Sequence, residues 1–440
     1  MIGSPGLLCY SWLVVKIQID PPGSVSLDVA VQGSKSLTNR AMIAAALAPG
    51  TTKLLNASFS DDSKFLATAL NQIGIPVDTR DRDNVILVHG GKPRKPDGEF
   101  FMGNAGTALR FFTSFVCLGT GQYEIDGEAR MRERPIGGLV EALRKLGAEI
   151  RYEMSDGCPP LAIKSQGLKG GRTIVAGDTS SQFVSSLLLS APGAAGAVEI
   201  EVEGEVASKP YIEITLDVMR DLGVSVEREG YRRFRIPAGS KYQSKVFKIE
   251  ADGASANYFL AMAAATGGKA RVRGVGSRSH QGELKFAAIL EQMGCTVKLF
   301  PEAIEVTGGR LKGVDVDMND CPDSVQTLAC VALFADGATR VRNVKNLRVK
   351  ETDRIAAIAK ECGKLGAHVD QMDDGFALTP PTRVGAAEIE TYKDHRVAMS
   401  FAVAAVAAPG IVIRDPECVT KSFPGFWEQL GTLGIKARRI

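Results

Sequence analysis

The residues of this chain best equipped for chemistry are cations set at the starts of small, apolar runs. Lys35 and Arg40 stand in GSKSLTNR, Arg110 in GNAGTALR, Arg134 in RMRERP and Lys209 in SKPY. Lys350 and Arg354 stand in RVKETDR, Arg396 in YKDHR and Lys421 in TKSFP. A helix start carries unpaired N–H groups and a partial positive charge, so it attracts anions. One such end contributes only ~0.3–1 kcal/mol, and a hydrogen bond from a charged donor adds ~1.5–3 kcal/mol. Micromolar binding needs about 8 kcal/mol, which dipoles alone do not reach and several Arg and Lys beside them do. Cations at helix starts also oppose the helix, so their recurrence asks for a function: gripping a small, multiply anionic ligand. Asp323 in CPDS and Glu351 in RVKETDR are the carboxylates placed to serve as acid–base partners.

Taken singly, each stretch has a plainer reading. Gly33–Ser36 lacks the spacing of a phosphate loop. Asp323 reads as a helix cap, Arg348–Arg354 as a solvated helix start, His395 as structural and Cys117 as core. What binds them together is that they occupy equivalent places in a repeat.

The repeat is sixfold. A helix-like stretch ends in an apolar residue and then Gly at Gly74, Gly147, Gly223, Gly294, Gly366 and Gly434, spaced 68 to 76 residues apart. Gly at a helix end accepts the left-handed turn that closes it, and six near-even endings mean six copies of one folding unit. Polar clusters marked by Thr38, Thr107, Ser181, Ser255, Ser324 and Asp394 keep the same beat and read by residue type as N-caps. Each unit offers a buried helix, as in Ala41–Ala48, Ala254–Ala265 and Ala398–Ala408, and an amphipathic one. In Arg354–Gly366, Ile355, Ile358, Cys362 and Leu365 form one stripe. Val25, Leu27, Val29 and Val31 alternate as a half-buried strand, and similar runs recur at Val198–Val202, Val246–Ile249, Ala303–Thr307, Thr339–Asn343 and Ile411–Ile413. The order strand, helix, strand, helix, strands predicts mixed α/β units, split into two sets of three.

The chain has 440 residues, 45% of them apolar, and a net charge of +3. That is ample core for two or three domains and no bulk field for nucleic acid or anionic lipid. Eight Cys form no CxxC pair, and four His show no metal-ligand spacing. This predicts reduced core thiols in a cytoplasmic protein. The apolar run Leu7–Val15 is short and lacks a basic leader or cleavage site, so it predicts neither a signal peptide nor a membrane span.

Nine stretches resemble the EPSP synthase family of enolpyruvyl transferases. They are GSKSLTNRA (Gly33–Ala41), GNAGTALR (Gly103–Arg110), RMRERPIGGL (Arg130–Leu139), SSQF (Ser180–Phe183), SKPYIEITL (Ser208–Leu216), PDS (Pro322–Ser324), RVKETDRI (Arg348–Ile355), YKDHRVAM (Tyr392–Met399) and TKSFP (Thr420–Pro424). They run in family order from about residue 24 to 430. The resemblance implies a two-domain inside-out α/β barrel, each domain three βαβαββ units about a pseudo-threefold axis. It implies a discontinuous domain of residues 1–33 plus 251–440, a second of 34–250, and an active site in the cleft between them.

The same resemblance implies transfer of the enolpyruvyl group of phosphoenolpyruvate to the 5-hydroxyl of shikimate-3-phosphate, with release of phosphate. Lys35, Gly106, Arg134, Gln182, Arg354, Arg396 and Lys421 would then face phosphoenolpyruvate. Lys35, Ser36, Arg40, Ser180, Ser181, Gln182, Ser208, Tyr211, Asp323, Asn346 and Lys350 would hold shikimate-3-phosphate. Lys35, Asp323 and Glu351 would handle protons. It implies no metal or cofactor, a monomer, and glyphosate as an inhibitor. Two departures stand out: Leu347 where many members carry Trp, and Phe111 where glyphosate-sensitive members usually carry Pro. The sister transferase acting on UDP-N-acetylglucosamine has Lys-Asn at its first helix and a reactive Cys before its Arg-Pro. Here the pair is Lys35-Ser36, and Arg130–Pro135 has no Cys. A six-unit nucleic-acid clamp would need cations spread along one face and a larger excess charge.

Overall fold

All six glycines that end the repeat's helices take a positive φ, between 81° at Gly434 and 107° at Gly294. The chain there leaves a helix and turns back into a strand, a conformation that costs a side-chain-bearing residue more. The computed structural model describes residues 15–440 apart from 92 and 94, so the apolar run at the N-terminus lies almost wholly outside the described residues. Twelve α-helices are found among them: α1 Lys35–Leu47, α2 Asp61–Gln72, α3 Gly106–Val116, α4 Gly137–Lys145, α5 Ser181–Ser190, α6 Pro210–Asp221, α7 Gly253–Thr266, α8 Lys285–Gln292, α9 Val325–Ala332, α10 Arg354–Lys364, α11 His395–Ala407 and α12 Phe426–Thr432.

Each unit contributes a four-stranded sheet. In one unit the strand Asp97–Phe101 leads through α3 to the parallel strand Thr120–Asp126. Helix α4 then leads to an antiparallel hairpin, Glu149–Tyr152 with Leu161–Gln166, whose second strand joins Thr120–Asp126. The other five sheets repeat this pattern. Three strands are contributed from a distance. Val246–Lys248 pairs with Gly50–Leu55, Ser26–Ala30 with Lys269–Arg273, and Lys16–Ile19 lies between Ile411–Arg414 and Ala437–Arg439.

The buried side chains form two separate cores. The first runs from Leu37 to Ile249; the second joins Ile17–Val31 to Ala251–Ile435. Helices α1, α3 and α5 pack on one another inside the first, and α7, α9 and α11 inside the second. These helices carry apolar or small residues on every side because nearly every face is buried: in α7 all residues from Gly253 to Ala264 are buried. The amphipathic α10 buries Arg354, Ile355, Ala357, Ile358, Glu361 and Cys362 and turns Lys360, Gly363 and Lys364 to the surface. The chain passes between the cores at Gly33 and Ala251, which pair with each other. A Cβ at Gly33 would lie 1.7 Å from the Asn56 carbonyl oxygen, so only Gly allows that crossing.

The markers of the second beat need correction. Thr38, Thr107, Ser181 and Ser255 lie inside their helices; the caps are Ser34, Ala105, Ser180 and Asp252. Residue type identifies a cap less well than the turn that precedes it. Asp394 is a cap as expected, accepting from the Arg396 N–H at 2.9 Å. Ser324 sits at the cap position of α9 and makes no side-chain capping bond.

Candidate functional site

The starts of α1, α3 and α5 from the first core and of α10 and α11 from the second open on one cleft. Helix α3 begins with no side-chain cap, and Gly106 and Thr107 at its head face the cleft. The Gly106 N–H is taken by the Asn104 carbonyl at 3.1 Å, and those of Thr107 and Ala108 find no backbone partner among the described residues, so they are the ones open to an anion.

The structure brings the expected residues together. Lys35, Ser36, Arg40, Gly106 and Arg134 line the cleft, as do Ser180, Ser181, Gln182, Ser208 and Tyr211. From the second core come Asp323, Asn346, Lys350, Glu351, Arg354 and Arg396. Lys421 stands beside them, its Nζ 3.7 Å from Glu351 Oε1. Lys209 does not belong: its Nζ lies over the Tyr231 ring, 5.7 Å from the centroid, and it is absent from the cleft wall. Arg110 stands one layer back, donating to Gln182 Oε1 at 2.7 Å and to the Pro135 carbonyl at 2.7 Å.

Arg354 is the hub of the second core's side. It is fully buried and donates to Asp394 through Nε at 2.8 Å, to Asp323 through Nη1 at 3.0 Å and to Glu351 through Nη2 at 2.9 Å. Arg396 Nη2 reaches the other Asp323 oxygen at 2.6 Å. Burial alone would raise Asp323, but Arg396, Arg354 and Lys350 overrule it and hold the carboxyl far below the usual range. Glu351 is likewise lowered, against burial, by Arg354, Arg134 and Lys421. Burial brings Lys350 down to about 8, with Asp323 opposing and Arg354 adding to the drop. Both carboxylates are therefore ionised at neutral pH and Lys350 is poised near it.

On the first core's side, Arg134 donates through Nη1 to the Asn104 carbonyl and side-chain oxygens, each at 2.9 Å. Its Nε, though buried, has no hydrogen-bond partner among the described residues. A Cβ on Gly106 would lie 2.6 Å from Arg134 Nη2 and 2.8 Å from Arg110 Nη1, so Gly lets two guanidiniums crowd the helix start. Arg40 donates to Thr215, the Ser36 carbonyl and the Tyr211 carbonyl, and lies between the rings of Phe111 at 5.2 Å and Tyr211 at 5.8 Å. Tyr211 meets Glu283 and, at 3.1 Å, Asp323 of the second core.

Three cleft residues escaped the sequence reading. Asp62, on α2, is buried between Lys35 Nζ at 3.0 Å and Lys421 Nζ at 2.6 Å. In sequence it is an acidic residue in a first helical turn, where the dipole alone accounts for it. Thr107 accepts from Gln182 Nε2 at 3.1 Å. His395, read as structural, forms part of the cleft wall, is buried, and has no hydrogen-bond partner for either ring nitrogen among the described residues. Burial and then Arg396 push its pKa well below the usual value, so the imidazole is neutral. Its signal was its place at the head of α11, next to Arg396.

Among the described residues no helix is long and apolar enough to cross a membrane. The six-unit, two-core architecture is that of the enolpyruvyl transferases. The enolpyruvyl transferase NikO from Streptomyces tendae superposes with a TM-score of 0.78 over 97% of this chain and 99% of that one; at 18% identity this is a likeness of fold. An EPSP synthase from Acinetobacter baumannii superposes with a TM-score of 0.80 over 97% of this chain and 100% of its own, at 26% identity.

Sequence narrows the class. Residues 19–430 match the family EPSP synthase (3-phosphoshikimate 1-carboxyvinyltransferase). The 3-phosphoshikimate 1-carboxyvinyltransferase of Shewanella halifaxensis is 47% identical over 423 residues, covering 95% of this chain and 99% of that protein. That of Shewanella sediminis is 46% identical over the same length and coverage. The chain belongs to the EPSP synthase family.

Proposed function

We propose that this enzyme transfers the enolpyruvyl group of phosphoenolpyruvate to the 5-hydroxyl of shikimate-3-phosphate, and that the cleft is where it does so. The observation that carries this is the meeting of cations from both cores around Asp323 and Glu351. Arg134, Arg354, Arg396 and Lys421 take the phosphate and carboxylate of phosphoenolpyruvate, with Lys35 and Gln182 beside them. Planar guanidiniums suit both groups because they donate in pairs. Ser180, Ser181, Ser208, Arg40, Tyr211, Asn346 and Lys350 hold shikimate-3-phosphate, and Ser36 stands at the head of α1 next to it.

The 5-hydroxyl oxygen bonds to C2 of phosphoenolpyruvate while its proton passes to Asp323. A proton delivered by the Lys35 ammonium converts the methylene to a methyl, giving a tetrahedral intermediate, and the ionised Glu351 shares in taking a methyl proton back during the elimination. The C2–O bond to phosphate then breaks, the methyl returns a proton, and the enol ether and phosphate leave. In the unliganded cleft Arg396 and Arg354 pin Asp323. Substrate anions that engage those guanidiniums raise the proton affinity of Asp323 toward what a general base needs.

The two cores are read as two domains, 1–33 with 251–440 and 34–250, that close on the anions. Glyphosate is read as an inhibitor at the phosphoenolpyruvate end, where Gly106 leaves room. The seven cysteines from Cys117 to Cys418 are free thiols, which supports a reducing, cytoplasmic setting; sedimentation would test the monomer. The deciding experiment is phosphate release with both substrates present. Release with shikimate-3-phosphate and none with UDP-N-acetylglucosamine supports the reading; no release with shikimate-3-phosphate ends it.

A further inference from the structure

Lys350 and Glu351 both reach the cleft, yet the backbone that carries them is poorly tied to its own half of the molecule. The preceding turn, Lys345–Val349, is anchored there by Arg348, whose side chain donates to the Met372 carbonyl at 2.6 Å, the Asp373 carbonyl at 3.0 Å and Asp353 at 2.8 Å. From Lys350 to Thr352 no backbone-to-backbone hydrogen bond is found among the described residues. Such a stretch moves unless something else holds it.

What holds it comes from the opposite core. Arg130 donates from Nε to the Lys350 carbonyl at 3.0 Å and from Nη2 to the Arg348 carbonyl at 3.3 Å, 220 and 218 residues away in the chain. Its third nitrogen, Nη1, donates to Glu133 at 2.8 Å, which fixes the plane of the guanidinium. Arg130 is not part of the cleft wall, and its three guanidinium nitrogens are spent on Glu133 and on the Lys350 and Arg348 carbonyls. A rigid planar fork spans two carbonyls from a preorganised plane, whereas a lysine ammonium is a point charge on a flexible stem that does not fix their spacing. Both bonds exist only while the cores are together.

We propose that Arg130 is a closure latch: when the cores meet, it seizes the Arg348–Lys350 backbone and thereby sets Lys350 and Glu351 in register with the substrates. It is a positioning residue, and the proposal rests on the reading of the cleft given above. It also gives the RMRERP stretch a second purpose, with Arg134 facing the ligand and Arg130 facing the other half.

The test compares wild type, Arg130→Ala and Arg130→Lys. Readouts are kcat, KM for each substrate, melting temperature, and hydrogen exchange at residues 348–353 with and without saturating shikimate-3-phosphate and phosphoenolpyruvate. Loss of two charge-assisted bonds that act after binding should lower kcat about 10-fold to 100-fold and change KM for shikimate-3-phosphate less than about threefold. Substrate-induced protection of 348–353 should be lost in Arg130→Ala and partly regained in Arg130→Lys. Melting of the free protein should stay near wild type, because Arg130 is partly exposed. A kcat within twofold of wild type overturns the latch, and so does a lower kcat with protection of 348–353 intact. A wild-type chain that releases no phosphate from the two substrates overturns the cleft reading and the latch with it.

Discussion

Asp62 Oδ1 lies 2.6 Å from Lys421 Nζ, a bond that ties α2 of the first core to the turn Pro416–Lys421 of the second. Its other oxygen takes Lys35 Nζ at 3.0 Å, and the neighbouring Asp61 accepts from Thr420 Oγ1 at 2.6 Å. One carboxylate thus spaces two lysines, one from each core, at the cleft. Burial pushes Asp62 up, but Lys35 and Lys421 prevail and its pKa is lowered. Asp62→Asn keeps the shape but removes the ion-pair partner of Lys35 and leaves Lys421 with the Asn104 carbonyl and the more distant Glu351, which should destabilise the chain by about 3 kcal/mol. A depressed carboxyl stabilises above its unfolded pKa and loses that contribution as pH falls through its folded one. The wild-type advantage in urea midpoint should therefore be full at pH 7 and shrink only below about pH 4. An advantage that is constant down to pH 2 would refute the pairing.

Gly106 allows Arg134 and Arg110 to crowd the start of α3. Adding one methyl in Gly106→Ala displaces the Arg134 head by several tenths of an ångström while the helix itself stays. The expected result is a KM for phosphoenolpyruvate raised by about tenfold or more, with KM for shikimate-3-phosphate nearly unchanged. Inhibition by glyphosate should weaken in step. Equal rises in both KM values would show that Gly106 does not border the phosphoenolpyruvate end.

Phe111, the departure from the sensitive family pattern, is fully buried with its ring 5.2 Å from the Arg40 guanidinium carbon. It supports the face of a cation whose N–H groups are largely spent on Thr215, Ser36, Tyr211 and Ser185. Phe111→Ala opens a cavity costing about 3–5 kcal/mol and frees Arg40 to tilt. Phe111→Leu retains most of the volume and loses the ring, so it isolates the second effect. It should raise KM for shikimate-3-phosphate several-fold with a melting temperature close to wild type. An unchanged KM in Phe111→Leu would reduce Phe111 to a core residue.

The parts of this molecule that could be read in the sequence are those written locally. Gly294 or Gly366 announces a helix end because the left-handed turn lies at the glycine itself, and the small, apolar residues all round α7 announce burial on every side. Lys35, Arg354 and Arg396 were legible because their helices start where the repeat requires. Asp62 was not, since its two lysines come from 27 and 359 residues away. Arg130 hid for the same reason: its partners are carbonyls, which carry no side-chain signal at all. His395 looked structural because a lone imidazole in an apolar helix usually is, and only the assembled cleft leaves its nitrogens without partners.

Glu283 meets Tyr211 across the cores and is raised to about 7, first by burial and then by Asp323; Tyr211 and Arg396 oppose the rise. A carboxyl whose folded pKa is raised contributes its stability below the unfolded value, and that contribution is lost as pH climbs through the folded one. The closed, folded chain should therefore weaken between about pH 5 and pH 8. Glu283→Gln removes the titration and keeps a partner for Tyr211. Its urea midpoint should stay flat across that window where wild type declines, and parallel profiles would assign the decline elsewhere.

His395 titrates the other way. Burial and Arg396 depress it, so the folded chain holds the imidazole neutral while the unfolded chain protonates near pH 6.5. Stability should be retained above that value and fall as pH drops below it, in the direction opposite to Glu283 over the same range. Imidazole carbon shifts followed by NMR in the folded enzyme should show His395 still uncharged below the pH at which a free imidazole protonates. An acid limb of the pH–rate profile between pH 5 and 7 then belongs to another group, and His395→Asn should lower kcat without moving that limb. If the limb disappears in His395→Asn, the imidazole is charged in the working enzyme, and substrate anions must have reversed the field that Arg396 sets in the empty cleft.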